Sequence, residues 1–301
     1  MSPLKALETR DLYTVGWIAS LPLERAAATA MLDEKHEKPL DFVQAYNDTN
    51  SYTWGNIGEH NVVVASLAAG RYGITSATET ALLMLSSFPQ IRVGLLVGIG
   101  AGIAKPDEGR DIRLGDIAVS QPDGSNGGVV QYDLFKATPG KQRKNRAFLN
   151  SPPQILLHAL GHLQSQHILE PPRFIEYLEE MIERYPRLAK QGYVHQGFEN
   201  DHLFRTTDPK EVIQRAHRES TEPIVHYGTI VSGNTFFRDS VYRDEILADL
   251  GEECVCLETE AAGVMNVFPC IVIRGISNYA DSHKDDRTRH WVDIRTCPNN
   301  K

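Results

Sequence analysis

Apolar and polar positions along the chain change period from segment to segment. Residues 13–19 (YTVGWIA) form a β-rich apolar run, the pattern of a first strand in a parallel sheet. A turn at Ser20 and Leu21 leads into a helical run through RAAATAML. Pro22 suits its first position, and Ser20 or a neighbour suits its cap. Glu24 then falls in the first turn, aimed at the strand end. Residues 51–54 and 61–67 read as two strands joined by a glycine-containing turn. Residues 69–73 (AGRYG) make a small-residue turn. Residues 76–88 give an amphipathic helix with Ala77, Ala81, Leu82, Leu85 and Phe88 on one stripe. A buried strand at 92–97 runs into a glycine turn at 98–102 (GIGAG).

Beyond a short strand at 117–120 the pattern loosens. Residues 153–166 and 172–185 look helical, whereas 192–223 is polar and carries no firm prediction. Strand character resumes at 224–231, followed by SGNTFF. Residues 256–284 (CLETEAAGVMNVFPCIVIRGISNYADSHK) combine a carboxylate pair, a helix-like run at 261–267 and an apolar run at 269–273. A polar turn with Arg274, Ser277 and Asn278 ends that stretch. This is a helix feeding a buried strand, and open α/β sheets place their sites at strand carboxyl ends. The order predicts a single α/β domain over 1–301, with an irregular insertion at about 122–223 and a short tail from about 285. The tail lacks a helical stripe, so a closing helix is expected to be short or absent.

The composition, 41% hydrophobic and 23% charged, is that of an ordinary globular chain. A net charge of -8 and a pI near 5.8 argue against a nucleic-acid or membrane-surface partner. No apolar run is long enough to span a bilayer, and the first residues lack a secretory core. Four cysteines, none in a C-x-x-C, read as reduced thiols of a cytoplasmic or nuclear protein rather than as a zinc site.

Candidate chemistry lies in three places. Gly98, Ile99 and Gly100 follow a strand, where missing Cβ atoms let backbone approach a ligand or simply pack closely. Their G-x-G-x-G spacing is not the dinucleotide fingerprint, whose third glycine comes one position later. Glu258 and Glu260 flank Thr259 at a strand–helix junction. Ionised carboxylates there suit a vicinal diol, and equally a helix start that favours acids. Past the last strand, Arg274 suits an anion, a water or loop carbonyls, and the Asn278 amide both donates and accepts. Phe236 and Phe237 suit either a stacked base or a core. Taken together, these residues describe a hollow for a nucleoside.

The segments YTVGWIASLPLERAA, VGLLVGIGAGI, DIRLGDIAVS, GGVVQYD, HYGTIVSGNTFF, CLETEAAGVM and CIVIRGISNYADSHK follow one another from Tyr13 to Lys284. In that order the chain resembles the purine and uridine phosphorylase superfamily, which includes methylthioadenosine/S-adenosylhomocysteine nucleosidases. More narrowly it resembles the fungal nucleoside phosphorylase-like domain of NLR-like proteins. The resemblance implies a three-layer α/β/α sandwich with a mixed, mostly parallel central sheet. It implies that Glu260 grips the ribose hydroxyls, with Glu258 as companion and Thr259 where methionine usually meets the sugar. Phe236, with Phe237, would stack on the purine, Arg274 would hold the nucleophile, and Glu24 would orient an attacking water. Gly98, Ile99, Gly100 and Arg71 would join the substrate-binding residues. No cofactor is implied, and phosphate enters only as the co-substrate of a phosphorylase. The implied partner is a small-molecule purine nucleoside or nucleotide, and the implied assembly a homo-oligomer.

Two departures sharpen the expectation. Where hexameric phosphorylases place phosphate-binding arginines and a serine, this chain has Glu24, Leu96 and Ile99. A carboxylate facing a phosphate dianion costs several kcal/mol at close range, so hydrolysis is favoured over phosphorolysis. Asn278 stands where most members have the aspartate that protonates purine N7, and an amide only hydrogen-bonds. It fits a 6-oxopurine substrate, a weakened copy kept for binding or signalling, or a substitution introduced into an active parent.

Overall fold

The computed structural model describes residues 4–136, 144–145, 148–190, 193, 197–250, 254–268 and 270–283. The tail expected from about 285 lies outside them. Strand β1 (Val15–Ala19) is buried at all five positions, as a central parallel strand requires. Helix α1 (Pro22–Ala30) follows with Pro22 at its start. Ser20 does not cap it. The Glu24 carboxylate instead accepts the backbone N–H groups of Ser20 and Leu21, at 2.5 and 2.8 Å. An acid in the first turn meets both the orphan donors and the positive helix end.

Strands β2 (Glu34–His36), β3 (Tyr52–Ile57) and β4 (His60–Ser66) form an antiparallel edge, and β4 pairs parallel with β1. Helix α2 (Gly73–Ser87) starts three residues earlier than its pattern predicts. Its buried stripe runs through Ala77, Ala81 and Met84 to Phe88, whereas Leu82 is 49% exposed. Residue 82 sits about 100° from 81 around a 3.6-residue helix, off the packed face.

Strand β5 (Val93–Gly102) contradicts the expected glycine turn, for it runs unbroken to Gly102. Gly98, Gly100 and Gly102 share one face of the pleat. A Cβ on Gly98 would sit 2.5 Å from both Arg274 Nη1 and Glu24 Oε1, and one on Gly102 2.7 Å from Ile276 Cγ2. These glycines are a packing surface for α1 and the last strand.

Then come β6 (Ile117–Ser120), β7 (Val129–Gln131), β8 (Phe135–Lys136), β9 (Lys144–Asn145), α3 (Gln154–Leu169), α4 (Phe174–Arg184) and α5 (Pro186–Lys190). Within the polar stretch at 192–223, the described residues from 197 onward hold more regular structure than their pattern suggests. They form an antiparallel ribbon of β10 (Phe204–Arg205) and β11 (Asp208–Val212), then a strap whose arginines reach buried acids. Next are β12 (Val225–Ser232), α6 (Ser240–Leu250), β13 (Cys254–Glu258), α7 (Ala261–Val264) and β14 (Cys270–Asn278). Helix α7 is only four residues long. The expected polar turn at 274–278 is instead the buried continuation of β14.

The main sheet runs β13-β12-β6-β14-β5-β1-β4-β3-β2, with β7 alongside β12. It is mixed and mostly parallel. Leu257 of β13 also pairs with Ala101 of β5, so β5, β14, β6, β12 and β13 close into a ring. One apolar layer joins Trp17 and Ile273 to Ala27, Ala28 and Met181 on α1 and α4. The other joins Ile18 and Val272 to Ala77, Met84 and Val264 on α2 and α7. These are the three layers the resemblance implies. Cys256 and Cys270 are buried thiols within the sheet. No helix among the described residues is long and apolar enough to cross a membrane.

Candidate active site

The ring of strands brings its chain ends together. The last residues of β13 and β14, Glu258 and Asn278, border one cavity of about 230 Å³. Glu24, Ile99, Gly100, Thr259 and Glu260 line it too, and so do Phe236 and Phe237. Gly98 and Arg274 do not line it. Arg71 is exposed in the turn before α2 and does not line the cavity.

Glu24 stands where β1 hands over to α1. Its Oε1 accepts the Ile99 N–H at 2.9 Å, so three backbone donors hold one carboxylate that is 4% exposed. Burial pushes its pKa up to about 7, with Arg274 and the Ile99 N–H opposing and Glu260 adding to the rise.

Glu258 faces inward along the helix end. It accepts from the N–H groups of Glu260 and Ala261, at 2.9 and 3.0 Å, at the start of α7. Arg274 Nη2 donates to it at 2.5 Å. Burial raises the Glu258 carboxyl and the Arg274 charge opposes this. Glu260 is the outer carboxylate. Its Oε1 accepts from Thr259 Oγ1 at 2.6 Å and from Gly73 N–H at 3.4 Å, and its Oε2 lies 3.4 Å from Arg274.

Arg274, to which the resemblance gives a hold on the nucleophile, exposes no surface and does not line the cavity. Burial opposes its charge, but Glu258, Glu260 and Glu24 outweigh that and hold it protonated. Its place is that of a buried counter-ion behind three acids.

Asn278 donates from Nδ2 to Ser277 Oγ at 3.0 Å and accepts the Ala280 N–H on Oδ1 at 2.9 Å. The amide therefore has one N–H left for the cavity. Phe236 is 60% exposed and meets Tyr72 edge-on at 6.1 Å, which makes a two-ring rim. Phe237 is buried against Tyr132 and Tyr242 and is wall more than rim.

Sequence reasoning missed Tyr72, Ser20 and Thr235 in the lining, which also includes Ser277. Tyr72 carried a signal in its place beside the small-residue turn. Ser20 is 5% exposed, and its Oγ has no hydrogen-bond partner. No Lys, Arg or His side chain lines the cavity among the described residues.

The phosphorylase superfamily model matches residues 14–301. A nucleotide-binding leucine-rich repeat (NLR)-like protein of Hyaloscypha variabilis is 40% identical over 288 residues, covering 93% of this chain and 28% of the relative. An ATP nucleosidase, Cap17, of Escherichia coli is 24% identical over 282 residues, covering 89% of this chain and 46% of the relative. The chain thus spans less than half of either relative. Among solved structures, a putative 5'-methylthioadenosine/S-adenosylhomocysteine nucleosidase from Borrelia burgdorferi bound to adenine superposes with a TM-score of 0.62 at 15% identity, covering 94% of this chain and 95% of that one. With its motifs in order, its ring-closed sheet and a family match over nearly its whole length, this chain belongs to the phosphorylase superfamily.

Proposed function

We propose that this chain cleaves the N-glycosidic bond of a purine nucleoside or nucleotide by hydrolysis. The observation that carries the reading is the pairing of a buried carboxylate near neutrality, Glu24, with a cavity wall that holds no cation. Water is a nucleophile that needs a base and little charge compensation. A phosphate dianion needs donors, and the nearest guanidinium is already committed to Glu258 and Glu260. Ser20 Oγ, buried and unpartnered beside Glu24, offers the water a second contact.

The other roles follow from position. The Glu260 carboxylate accepts from the ribose hydroxyls, with the Arg274 guanidinium 3.4 Å behind it. Phe236 and Tyr72 flank the base at the rim. As the bond to the base breaks, the sugar gains positive charge, which the Glu260 and Glu24 carboxylates stabilise. Asn278 donates its free N–H to N7 and so eases departure of the base without transferring a proton. The names of the Escherichia coli relative and of the Borrelia burgdorferi neighbour support a purine nucleoside or nucleotide as substrate. Assembly as a homo-oligomer in the cytoplasm is part of the same reading.

A second reading rests on Asn278. Without a proton donor, the cavity would bind a nucleoside and turn it over slowly, as a binding or signalling domain of an NLR-like protein. One experiment separates the readings: incubation with a panel of purine nucleosides and nucleotides, with and without phosphate, read by chromatography. Hydrolysis gives free base and free sugar at equal rates in both buffers. Base release that requires phosphate indicates a phosphorylase. Tight binding with no release from any member favours the binding domain.

A further inference from the structure

We propose that Arg215 is a positioning residue for Asn278, acting through Tyr279 and the left-handed turn at Ala280. Its effect on rate rests on the nucleoside-cleaving reading above, whereas its effect on the turn does not.

The side chain of Asn278 is set by the backbone that follows it. Its Oδ1 accepts the Ala280 N–H at 2.9 Å. Ala280 has a φ of 53°, and no other non-glycine residue among the described ones has a positive φ. A Cβ crowds the following carbonyl there, so such a residue persists only where its surroundings hold it. Tyr279 is the residue between, and it is gripped at both ends.

The grip on the ring comes from the strap after β11. Arg215 Nη1 donates to the Tyr279 hydroxyl at 3.0 Å, and its guanidinium lies 5.6 Å from the ring centre. Arg215 Nη2 lies 2.9 Å from Asp201 Oδ2 and donates to the Asp201 carbonyl at 2.7 Å. The Tyr279 hydroxyl donates to Asp201 Oδ1 at 2.5 Å. All three side chains are nearly or wholly buried. The grip on the backbone comes from α6, where Arg243 Nη1 donates to the Tyr279 carbonyl at 2.6 Å. Helix α6 follows Phe236 and Phe237, so one clamp ties the aromatic wall to the strand end.

The same strap supplies an internal control. Arg218 pairs with Asp116 at 2.7 Å and donates to the Asp111 carbonyl, without touching Tyr279. If the strap served only to cover the sheet, loss of either arginine would loosen the turn alike.

Hydrogen–deuterium exchange on the full chain tests this directly. Arg215→Ala speeds exchange of the Ala280 amide about tenfold, and Arg218→Ala leaves it near the wild-type rate. Tyr279→Phe, which keeps the ring and loses only the hydroxyl, moves it the same way by less. In purine release, Arg215→Ala lowers kcat about 10²-fold with KM little changed, as misplacement of a group that acts in the transition state does. Arg215→Lys recovers part of that loss. Unchanged Ala280 exchange in Arg215→Ala overturns the proposal, as does equal loss in Arg218→Ala. If the wild type releases no base, the functional reading fails on its own, and the exchange arm still decides the role of Arg215.

Discussion

Arg274 donates to Glu258 at 2.5 Å, and the two side chains expose 0% and 1% of their surface. Removing one partner of such a pair leaves an uncompensated buried charge, at a cost of about 3–5 kcal/mol. Here Glu260 also loses its counter-ion. Arg274→Ala is expected to lower stability by that amount in urea titration. The double variant Arg274→Met, Glu258→Gln recovers part of the loss, because the Glu258 charge is gone while Glu260 still lacks its counter-ion. Stability close to wild type in Arg274→Ala contradicts the counter-ion role.

Glu24 titrates where it matters. Burial pushes its carboxyl from the ordinary 4.5 up to about 7. A base must be ionised, so purine release climbs as pH rises through about 7 and then levels. Glu24→Gln abolishes that limb together with most of the rate. Stability moves the opposite way. Between 4.5 and about 7 the folded chain holds a proton that the unfolded chain has lost, so this group's contribution falls as pH rises across the window. The whole effect is at most about 3 kcal/mol. Urea titrations across the window are expected to show Glu24→Gln gaining on the wild type toward alkaline pH. Parallel slopes in the two proteins contradict the raised pKa.

The two phenylalanines divide their work. Phe236 is exposed at the rim, so Phe236→Ala raises KM about tenfold, within the range of about 1–3 kcal/mol for base–aromatic stacking. Its stability stays within about 0.5 kcal/mol of wild type. Phe237 packs on Tyr132 and Tyr242, so Phe237→Ala costs about 3–5 kcal/mol. Steady-state kinetics and urea titration of both variants check this, and a Phe236→Ala KM equal to wild type contradicts the rim role.

Much of this was legible in the sequence, and the gaps have physical causes. Residues 13–24 set β1, α1 and the place of Glu24, because short-range period and a proline at the helix start suffice. The glycines of β5 look like a turn in the sequence because their reason lies in Arg274, Glu24 and Cys256, far away in the chain. Polar period hid the ribbon and strap at 197–218, since Arg215 and Arg218 are buried against partners distant in the chain, among them Asp116 for Arg218 and Tyr279 for Arg215. Helix α6 was missed because Ile246 is its one buried residue, too little for an apolar stripe. The pairing of Arg274 with Glu258 and Glu260 is not legible in the sequence, because it and the complete burial of Arg274 are properties of the closed ring.

Asn278 is the position at which chemistry and fold part company. Asn278→Asp puts a proton donor in place, and general acid help is typically worth about 10²–10⁴-fold. The expected outcome is a rise in base release toward the low end of that range. Competition from Ser277 and the Ala280 N–H, which favour the ionised form, limits it. A fall in rate, measured by chromatography of released base, makes asparagine the working residue instead.

The central claim is that water, activated by Glu24, takes the sugar from the base. A single turnover in water enriched in oxygen-18, quenched early and read by mass spectrometry, tests it most directly. Hydrolysis predicts free base and a sugar carrying one labelled oxygen, with Glu24→Gln giving neither. An unlabelled sugar phosphate, or intact substrate after prolonged incubation, contradicts it.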